Sequence, residues 1–285
     1  MKAVLVTGST GGIGTATVRL LRRRGFTVYA GARGPADFGP DDHGAAADPG
    51  VRVVPLDVAD PESVAAAAKR IAGEVDGLAA VINNAGVIVQ GPLELVPADE
   101  WRRQLEVNTL GPALVIREFL PLLRTGSGRI VNVSAVTGRV AMPLLGAVSV
   151  SKHGLEALSN ALRLELAPWK IPVVVVEPGT TRTEIFTRAA AAADAALQQA
   201  DRSRVDLYRP QLAAYEKALA RFKPGPVDKV AEVIVRAVEA RHPRRRYAVA
   251  EARTFGAILT NLPAPLRDRL LATATGLNGI KAAES

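Results

Sequence analysis

No cysteine occurs among the 285 residues, which excludes disulfide bonds, thiol catalysis and cysteine metal sites, and no metal site is predicted. No apolar run reaches the roughly 18 residues that a membrane span needs. No long polar tract indicates extensive disorder. The chain starts with an apolar strand pattern that passes directly into a glycine turn, without the layout of a signal peptide. Together these absences favour a cytoplasmic location.

What the sequence does have is positive charge, a formal +8 from 36 Lys and Arg against 28 Asp and Glu. Arginines cluster at 22–24 and at 241–246. A nucleic-acid surface is one interpretation, but no helix-turn-helix, zinc or single-strand-binding pattern accompanies the charge. We therefore expect no nucleic-acid partner and interpret the clusters as a solvated face that also helps to hold an anionic ligand.

Short apolar runs alternate with longer helical patterns along the chain, and most runs are rich in Val and Ile on both faces. Strands buried between two helical layers have this composition. The alternation predicts an α/β fold with a doubly wound parallel sheet of about seven strands. The predicted strands are 3–7, 27–31, 51–56, 78–82, 129–133, 172–177 and 246–250. The predicted helices are about 12–24, 61–74, 99–124, 147–168 and 226–240.

Three segments break this alternation. Residues 34–50 are rich in Gly, Pro and Asp, which predicts a loop. Residues 180–225 contain a helix-forming alanine stretch and are predicted to form a mobile lid over a substrate. Residues 251–285 form an amphipathic tail that could pack on the domain, pair with another subunit or contact a membrane surface. We predict one domain over 1–250, lid included, with the tail packed on it.

The first predicted strand runs into a glycine-rich turn that a helix follows. Glycines permit a tight turn and let backbone N–H groups approach a pyrophosphate. The positive N-terminal end of the helix then faces the phosphates. A strand before the turn and a helix after it are the context that marks a Rossmann-type domain. The turn reads Thr7-Gly8-Ser9-Thr10-Gly11-Gly12-Ile13-Gly14.

With its spacing Thr-Gly-x-x-x-Gly-x-Gly, this turn resembles that of the short-chain dehydrogenase/reductase family. Further matching segments follow in order, mostly at predicted strand ends, where ligands bind in open α/β sheets. They are Asp57-Val58, Asn83-Asn84-Ala85-Gly86, Asn108, Lys152, Pro178-Gly179, Thr181 and Thr183. The resemblance covers about residues 1–250, and the tail is similar to that of members acting on steroids and retinoids.

The resemblance implies a role for each matched segment. Asp57-Val58 would meet the adenine, Lys152 the nicotinamide ribose and Thr183 the nicotinamide carboxamide. Family members often pair their two long helices, which implies a homodimer or homotetramer. The implied cofactor-binding residues are Thr7, Gly8, Ser9, Gly12, Ile13, Gly14, Arg33, Asp57, Val58, Asn84, Ala85, Gly86, Lys152, Pro178, Gly179, Thr181 and Thr183.

The end of the second strand indicates which dinucleotide is bound. NAD binders usually place an acidic residue there for the ribose 2′-OH, whereas an arginine accommodates a 2′-phosphate. Here the strand ends in Ala32, and Arg33 follows at once. The missing carboxylate and the added cation favour NADP(H) over NAD(H). In the alternative interpretation, Arg33 only caps the loop.

The catalytic pattern of the family is incomplete in this chain. In the family, a Tyr and a Lys four residues later share one helix face, and a Ser hydrogen-bonds the substrate oxygen. Asn108 and Lys152 match the family, but Val148 stands at the Tyr position and Ala135 at the Ser position. Removal of a general acid costs about 10²–10⁴-fold in rate. Candidate substitutes are Ser134, Thr137, Ser149, His153, Tyr208 and Tyr215.

The sequence therefore predicts an NADP(H)-binding oxidoreductase with an impaired catalytic site. Its substrate would be a small apolar carbonyl, alcohol or enal-type molecule, as the lid residues Leu207, Leu212, Leu219 and Phe222 suggest. One alternative is a redox-inactive NADP(H)-binding protein that acts as a sensor or regulatory subunit. Another is a non-redox lyase or isomerase that uses the same pocket.

Overall fold

The computed structural model of the chain describes residues 2–34, 48–221 and 223–281. Most of the predicted loop at 34–50, and Phe222 of the predicted lid, lie outside these residues.

The described residues form a seven-stranded sheet in the order β3-β2-β1-β4-β5-β6-β7. All neighbouring strands are parallel. The order reverses between β1 and β4, and this switch point opens a crevice at the carboxyl ends of the strands. The strands are β1 (Ala3–Thr7), β2 (Thr27–Ala32), β3 (Val51–Pro55), β4 (Ala80–Asn83), β5 (Arg129–Val133), β6 (Val173–Glu177) and β7 (Arg246–Ala248).

Helices cover both faces of the sheet. They are α1 (Gly12–Arg23), α2 (Pro61–Ala72), α3 (Ala98–Leu105), α4 (Gly111–Thr125), α5 (Gly146–Glu165), α6 (Glu184–Gln199), α7 (Arg202–Leu219), α8 (Val227–Glu239), α9 (Phe255–Asn261) and α10 (Ala264–Ala274). The predicted helix 99–124 is interrupted by a π-helical turn at Glu106–Leu110, which separates α3 from α4. The predicted doubly wound parallel sheet is confirmed.

Successive strand residues contribute to opposite cores because side chains alternate across a sheet. Leu5 of β1 packs in the core beneath α2, α4 and the end of α5. Its neighbours Val4 and Val6 pack in the other core, beneath α1 and α8. This two-sided burial explains why the strands read as continuous apolar runs.

The predicted lid consists of α6 and α7, and its two ends are joined. The N–H of Arg182 donates to the carbonyl of Gly225 (2.9 Å), and the N–H of Gly225 donates to the carbonyl of Thr180 (2.8 Å). Alanines of α6 line a narrow crevice together with Val89, Val96 and Pro97. The lid therefore leaves the sheet and returns to it at one point.

The tail packs on the segment that follows β5. Leu259 of α9 and Leu271 of α10 form a small core with Val140. The Arg139 guanidinium also donates to the Thr260 hydroxyl (3.1 Å). The tail thereby closes one side of the crevice at the carboxyl ends of the strands.

A buried cluster of four charged side chains joins β6, β7, α5 and the segment after β5. Glu177 is fully buried and accepts hydrogen bonds from Arg139 (2.8 Å) and from Arg246. Arg246 also donates to both carboxylate oxygens of Glu156 (2.8 and 2.6 Å). Arg246, which the sequence analysis interpreted as part of a solvated face, is 29% exposed and binds two carboxylates of this cluster.

We expect Glu177→Gln to lower the free energy of unfolding by about 3–5 kcal/mol, because it leaves two guanidiniums without their shared buried partner. Urea unfolding measures this change. Glu239→Gln is the matched control, since Glu239 lies on the surface 4.0 Å from Arg24, and such pairs contribute at most about 1 kcal/mol. Equal effects of the two substitutions would contradict the structural role of the cluster.

Candidate nucleotide-binding and active site

The turn after β1 has room only for glycine at two positions. Gly8 has a φ of +60°, and a Cβ atom there would lie 2.7 Å from the Ala85 Cα atom. A Cβ atom on Gly14 would collide with the Gly8 carbonyl. The backbone of the turn therefore approaches both β4 and α1 more closely than any side chain would allow.

The N-terminus of α1 lies at the mouth of this turn without a side-chain cap. Gly11 supplies no side-chain cap, and the first turn of α1 has no acidic residue. On α2, by contrast, the Asp60 carboxylate caps the helix by accepting from the N–H of Glu62 (3.0 Å). An uncapped helix N-terminus beside a glycine turn fits a pyrophosphate group.

Three predicted cofactor residues direct their side chains into the protein. The Thr7 hydroxyl accepts from the N–H groups of Asn84 and Ala85 (both 3.0 Å). The Asn84 amide donates to the carbonyls of Thr7 (3.1 Å) and Gly8 (3.0 Å). The Ser9 hydroxyl donates to the Gly31 carbonyl (3.0 Å). These side chains fix the turn against β2 and β4, so any cofactor contact there comes from backbone.

The predicted adenosine end lies at the carboxyl ends of β2 and β3. Ala32 is buried as the last residue of β2, and Arg33 is exposed directly after it. The Asp57 carboxylate accepts from the N–H of Ala59 (3.0 Å), which orients it at the end of β3. Val58 is buried, and its side chain lies 2.9 Å from the position of a Cβ atom on Gly111.

The predicted nicotinamide end follows β6. The Thr181 hydroxyl donates to the Gly179 carbonyl (2.9 Å), which stabilises the turn after Pro178. Thr183 precedes α6, and its methyl group lies 3.0 Å from the position of a Cβ atom on Gly12. The structure thus brings the start of the lid against the glycine turn, 171 residues away in the chain.

Glu251 contacts the same turn and was missed by the sequence analysis. Its carboxylate accepts from the N–H of Thr180. A Cβ atom on Gly179 would lie 2.5 Å from the Glu251 Cδ atom. The preceding residue, Ala250, has a φ of +53°. No local pattern marks Glu251, because the contact joins the ends of β6 and β7.

Asn108 lies in the π-helical turn and holds the segment that follows β4. Its amide group accepts from the N–H of Val87 (2.8 Å) and donates to the Val87 carbonyl (2.9 Å). The Gln104 amide donates to the Ser151 hydroxyl (3.0 Å), which in turn donates to the Val148 carbonyl (2.9 Å). Gln104 and Ser151, also missed from the sequence, thus connect α3 to the helix that carries Lys152.

Lys152 lies on α5 beside the carboxyl end of β5. Its ammonium group donates to the Val133 carbonyl (2.9 Å). Burial lowers the pKa of Lys152 to about 8, and attraction to Glu156 only partly offsets this effect. Val148 is 5% exposed and Ala135 is half-buried. The side chains at the predicted Ser and Tyr positions are therefore aliphatic and at least half-buried.

Most of the candidate substitute donors already have partners. The Ser149 hydroxyl accepts from the N–H of Met142 (3.2 Å), His153 Nδ1 lies 2.8 Å from the Ser149 carbonyl, and the Tyr208 hydroxyl donates to Glu94 (3.1 Å). Tyr215 is buried, which raises its pKa to about 12. Within the described part of the chain, the buried hydroxyls of Ser134 and Thr137 lack a partner.

An uncapped helix behind a glycine turn, at the switch point of a parallel sheet, defines a Rossmann-type nucleotide-binding domain. The model of the family described as short chain dehydrogenase matches residues 2–194, and the chain belongs to that family. The family predicted from the sequence is thereby confirmed. Homologues in this family are oxidoreductases.

Two relatives and one solved structure illustrate the similarity. Retinol dehydrogenase 5 of Mus musculus is 34% identical over 282 residues, which cover 94% of this chain and 87% of the relative. The uncharacterized oxidoreductase YbbO of Escherichia coli K12 is 35% identical over 276 residues, covering 95% and 94%. A short chain dehydrogenase from Burkholderia cenocepacia J2315, solved in complex with NADP, has a TM-score of 0.74 and 26% identity, covering 95% and 99%.

None of the helices in the described ranges combines the length and the apolar character needed to cross a membrane.

We expect the lowered pKa of Lys152 to make stability depend on pH. An unfolded lysine has a pKa near 10.4, so between about pH 8 and 10 the unfolded state binds more protons and stability rises with pH. From about pH 7 to pH 10, the wild type should gain about 2–3 kcal/mol relative to Lys152→Met, measured by urea unfolding. The exposed Lys170→Met is the control, and a similar gain relative to it would contradict the prediction.

Proposed function

We propose that the protein is an NADP(H)-dependent oxidoreductase that acts on an apolar substrate. Hydride transfer to or from this substrate takes place without a tyrosine hydroxyl as general acid or base. The substrate class is a small carbonyl, alcohol or enal-type molecule. The observation that carries this proposal is a contrast within the site. The predicted cofactor-binding residues, here called the binding frame, are all present, whereas the side chains at Ala135 and Val148 are aliphatic and Lys152 is retained.

The binding frame supports NADP(H) as the cofactor. The uncapped start of α1 would hold the pyrophosphate, and Arg33 after the uncharged end of β2 would hold the 2′-phosphate. Lys152 would hold the nicotinamide ribose and Thr183 the carboxamide, as in the family. When bound, the cofactor supplies or accepts the hydride. The NADP-bound Burkholderia cenocepacia relative supports this choice.

The proton must then come from outside the usual side chains. Valine and alanine have no exchangeable proton, and the Ser151 hydroxyl already donates to the Val148 carbonyl. Lys152 keeps its contact with Val133 and holds its charge at the carboxyl end of β5. Water would supply the proton, so we expect a rate about 10²–10⁴-fold below that with a positioned acid.

An apolar substrate is supported by the inner face of the lid. Alanines of α6 face Val89 and Val96 across a narrow crevice. By contrast, Leu207 and Leu219 of the lid are 43% and 45% exposed, so the sequence-based argument from these leucines is weaker than that from the alanines. The similarity to a retinol dehydrogenase supports the same substrate class.

A redox-inactive NADP(H)-binding protein is the second candidate. It is favoured by the hydroxyls of Ser151 and Tyr208, which donate to groups within the protein and so do not serve a substrate oxygen. Non-redox lyase or isomerase activity stays a prediction of the sequence, as does the cytoplasmic location.

We also propose that the protein forms a homodimer or homotetramer through α3, α4 and α5. Leu105, Leu110 and Val150 are 37%, 52% and 52% exposed on this helical surface. Burial of exposed apolar side chains between copies would contribute about 25 cal/mol per Å². A peripheral membrane contact of the tail is the alternative that the sequence left open.

We expect Ala135→Ser combined with Val148→Tyr to raise NADPH-dependent reduction of apolar aldehydes and ketones by about 10²–10⁴-fold, because it restores an acid and a hydrogen-bond donor. The measurement is NADPH oxidation at 340 nm over a panel of ketones, enals and retinoids. Val136→Ser combined with Val150→Tyr is the matched control, since it adds the same hydroxyl groups one and two positions away.

The outcome also separates the two candidates. Slow but measurable turnover by the natural chain, which rises in the double variant, supports the oxidoreductase. Absence of turnover in the natural chain, with tight NADPH binding, supports the redox-inactive protein. Failure to bind NADPH would contradict both.

We expect Arg33→Ala to weaken NADPH binding by about 10- to 100-fold and to leave NADH binding nearly unchanged. A charge-assisted hydrogen bond to a phosphate contributes about 1.5–3 kcal/mol, and only NADPH has a 2′-phosphate. Fluorescence titration measures both dissociation constants. Arg23→Ala, which removes an exposed charge from α1, is the control. Equal weakening for the two nucleotides would show that Arg33 has only a local structural role.

A further inference from the structure

The ammonium group of Lys152 is held by a neutral acceptor. It donates to the Val133 carbonyl (2.9 Å), and within residues 2–34, 48–221 and 223–281 no carboxylate forms an ion pair with it. Glu156, one helical turn further along α5, is engaged through both oxygens by Arg246. The charge of Lys152 therefore has no anionic partner of its own.

Apart from Glu156, the groups on the same side of α5 do not stabilise the charge. Val148 precedes Lys152 by four residues, so both side chains lie on one face of the helix. Val148 is buried and aliphatic, and Ala135 follows β5 on the opposite side. Further away, Arg139 and Arg246 balance Glu177 and Glu156 within the buried cluster. A partly buried amine with aliphatic neighbours and no ion-pair partner favours its neutral form.

The neutral fraction of Lys152 is large at physiological pH. With a pKa of about 8, about 9% of Lys152 is the free amine at pH 7, against about 0.04% for an exposed lysine. This is a difference of about 200-fold. The free amine is the form that attacks carbonyl carbon.

We propose that Lys152 forms a reversible imine with apolar aldehydes. The nitrogen lone pair attacks the carbonyl carbon, so that a C–N bond forms and the C–O π bond breaks. The carbinolamine then loses its oxygen as water, which takes both protons of the amine. No oxidant or reductant is needed, and hydrolysis reverses the step. This activity goes beyond the proposed hydride transfer and does not require a nucleotide.

The aldehyde is apolar because of what surrounds the amine. Val148 lies one helical turn before Lys152 on α5, and Ala135 follows Val133, whose carbonyl accepts from Lys152, by two residues. The crevice between α6 and Val89 is lined mainly by alanine and valine. Gln104 connects this crevice to the neighbourhood of Lys152, since its amide accepts from the N–H of Val89 (2.7 Å) and donates to the hydroxyl of Ser151, the residue before Lys152 (3.0 Å).

The test is reductive trapping of the imine in the full-length chain without added nucleotide. The protein is incubated with decanal and sodium cyanoborohydride near pH 7, and the labelled lysine is located by peptide mass spectrometry. We expect Lys152 to be labelled at least about tenfold faster than exposed Lys170, because of its larger neutral fraction. Lys152→Arg should abolish this fast label, whereas Lys170→Arg should leave it unchanged.

Two further measurements make the result decisive. Labelling of Lys152 should approach its maximum above about pH 8. Glyoxylate, a charged aldehyde, should label Lys152 more slowly than decanal. Equal labelling of Lys152 and Lys170 by decanal would overturn the imine, and equal labelling of Lys152 by both aldehydes would overturn its apolar specificity. NADPH titration of the same sample tests the proposed function separately.

Discussion

The close backbone contact between the glycine turn and the end of β4 is the constraint on which the rest of the site depends. Gly8 approaches Ala85 at a distance that excludes a side chain, and Thr7 and Asn84 hold the two segments together. This contact directs the start of α1 into the crevice at the switch point. The end of β5 with Lys152, and the start of the lid at Thr183, lie along the same edge, so one rigid turn positions the whole site.

The fold could be predicted from local patterns because its strands are buried on both faces. A short apolar run such as Val173–Glu177 is typical of such a buried strand. The interruption of the long helix could not be predicted, since the π-helical turn at Glu106–Leu110 depends on Asn108 reaching Val87 in another segment. The buried charge cluster was missed for the same reason. Its partners, such as Glu156 and Arg246, are far apart in the sequence, and arginine beside arginine suggests a solvated surface.

Some features of the candidate site could be predicted from the sequence and others could not. The glycine positions were predictable, because a tight turn that excludes side chains requires glycine in the sequence. The direction in which a polar side chain points cannot be inferred from the sequence in this way. Thr7, Ser9 and Asn84 occupy the expected positions but bond the protein interior. Lys152 was recognised by its position, whereas its surroundings, a carbonyl partner and aliphatic neighbours, required the assembled structure.

The joined base of the lid has a consequence for how such a protein can change over time. Backbone hydrogen bonds between Thr180, Arg182 and Gly225 hold the two ends of the segment together, so the length of α6 and α7 can vary at small entropic cost. Insertions or deletions there would leave the register of β6 and the packing of α8 untouched. Ligand preference can therefore diversify while the nucleotide-binding frame is inherited unaltered.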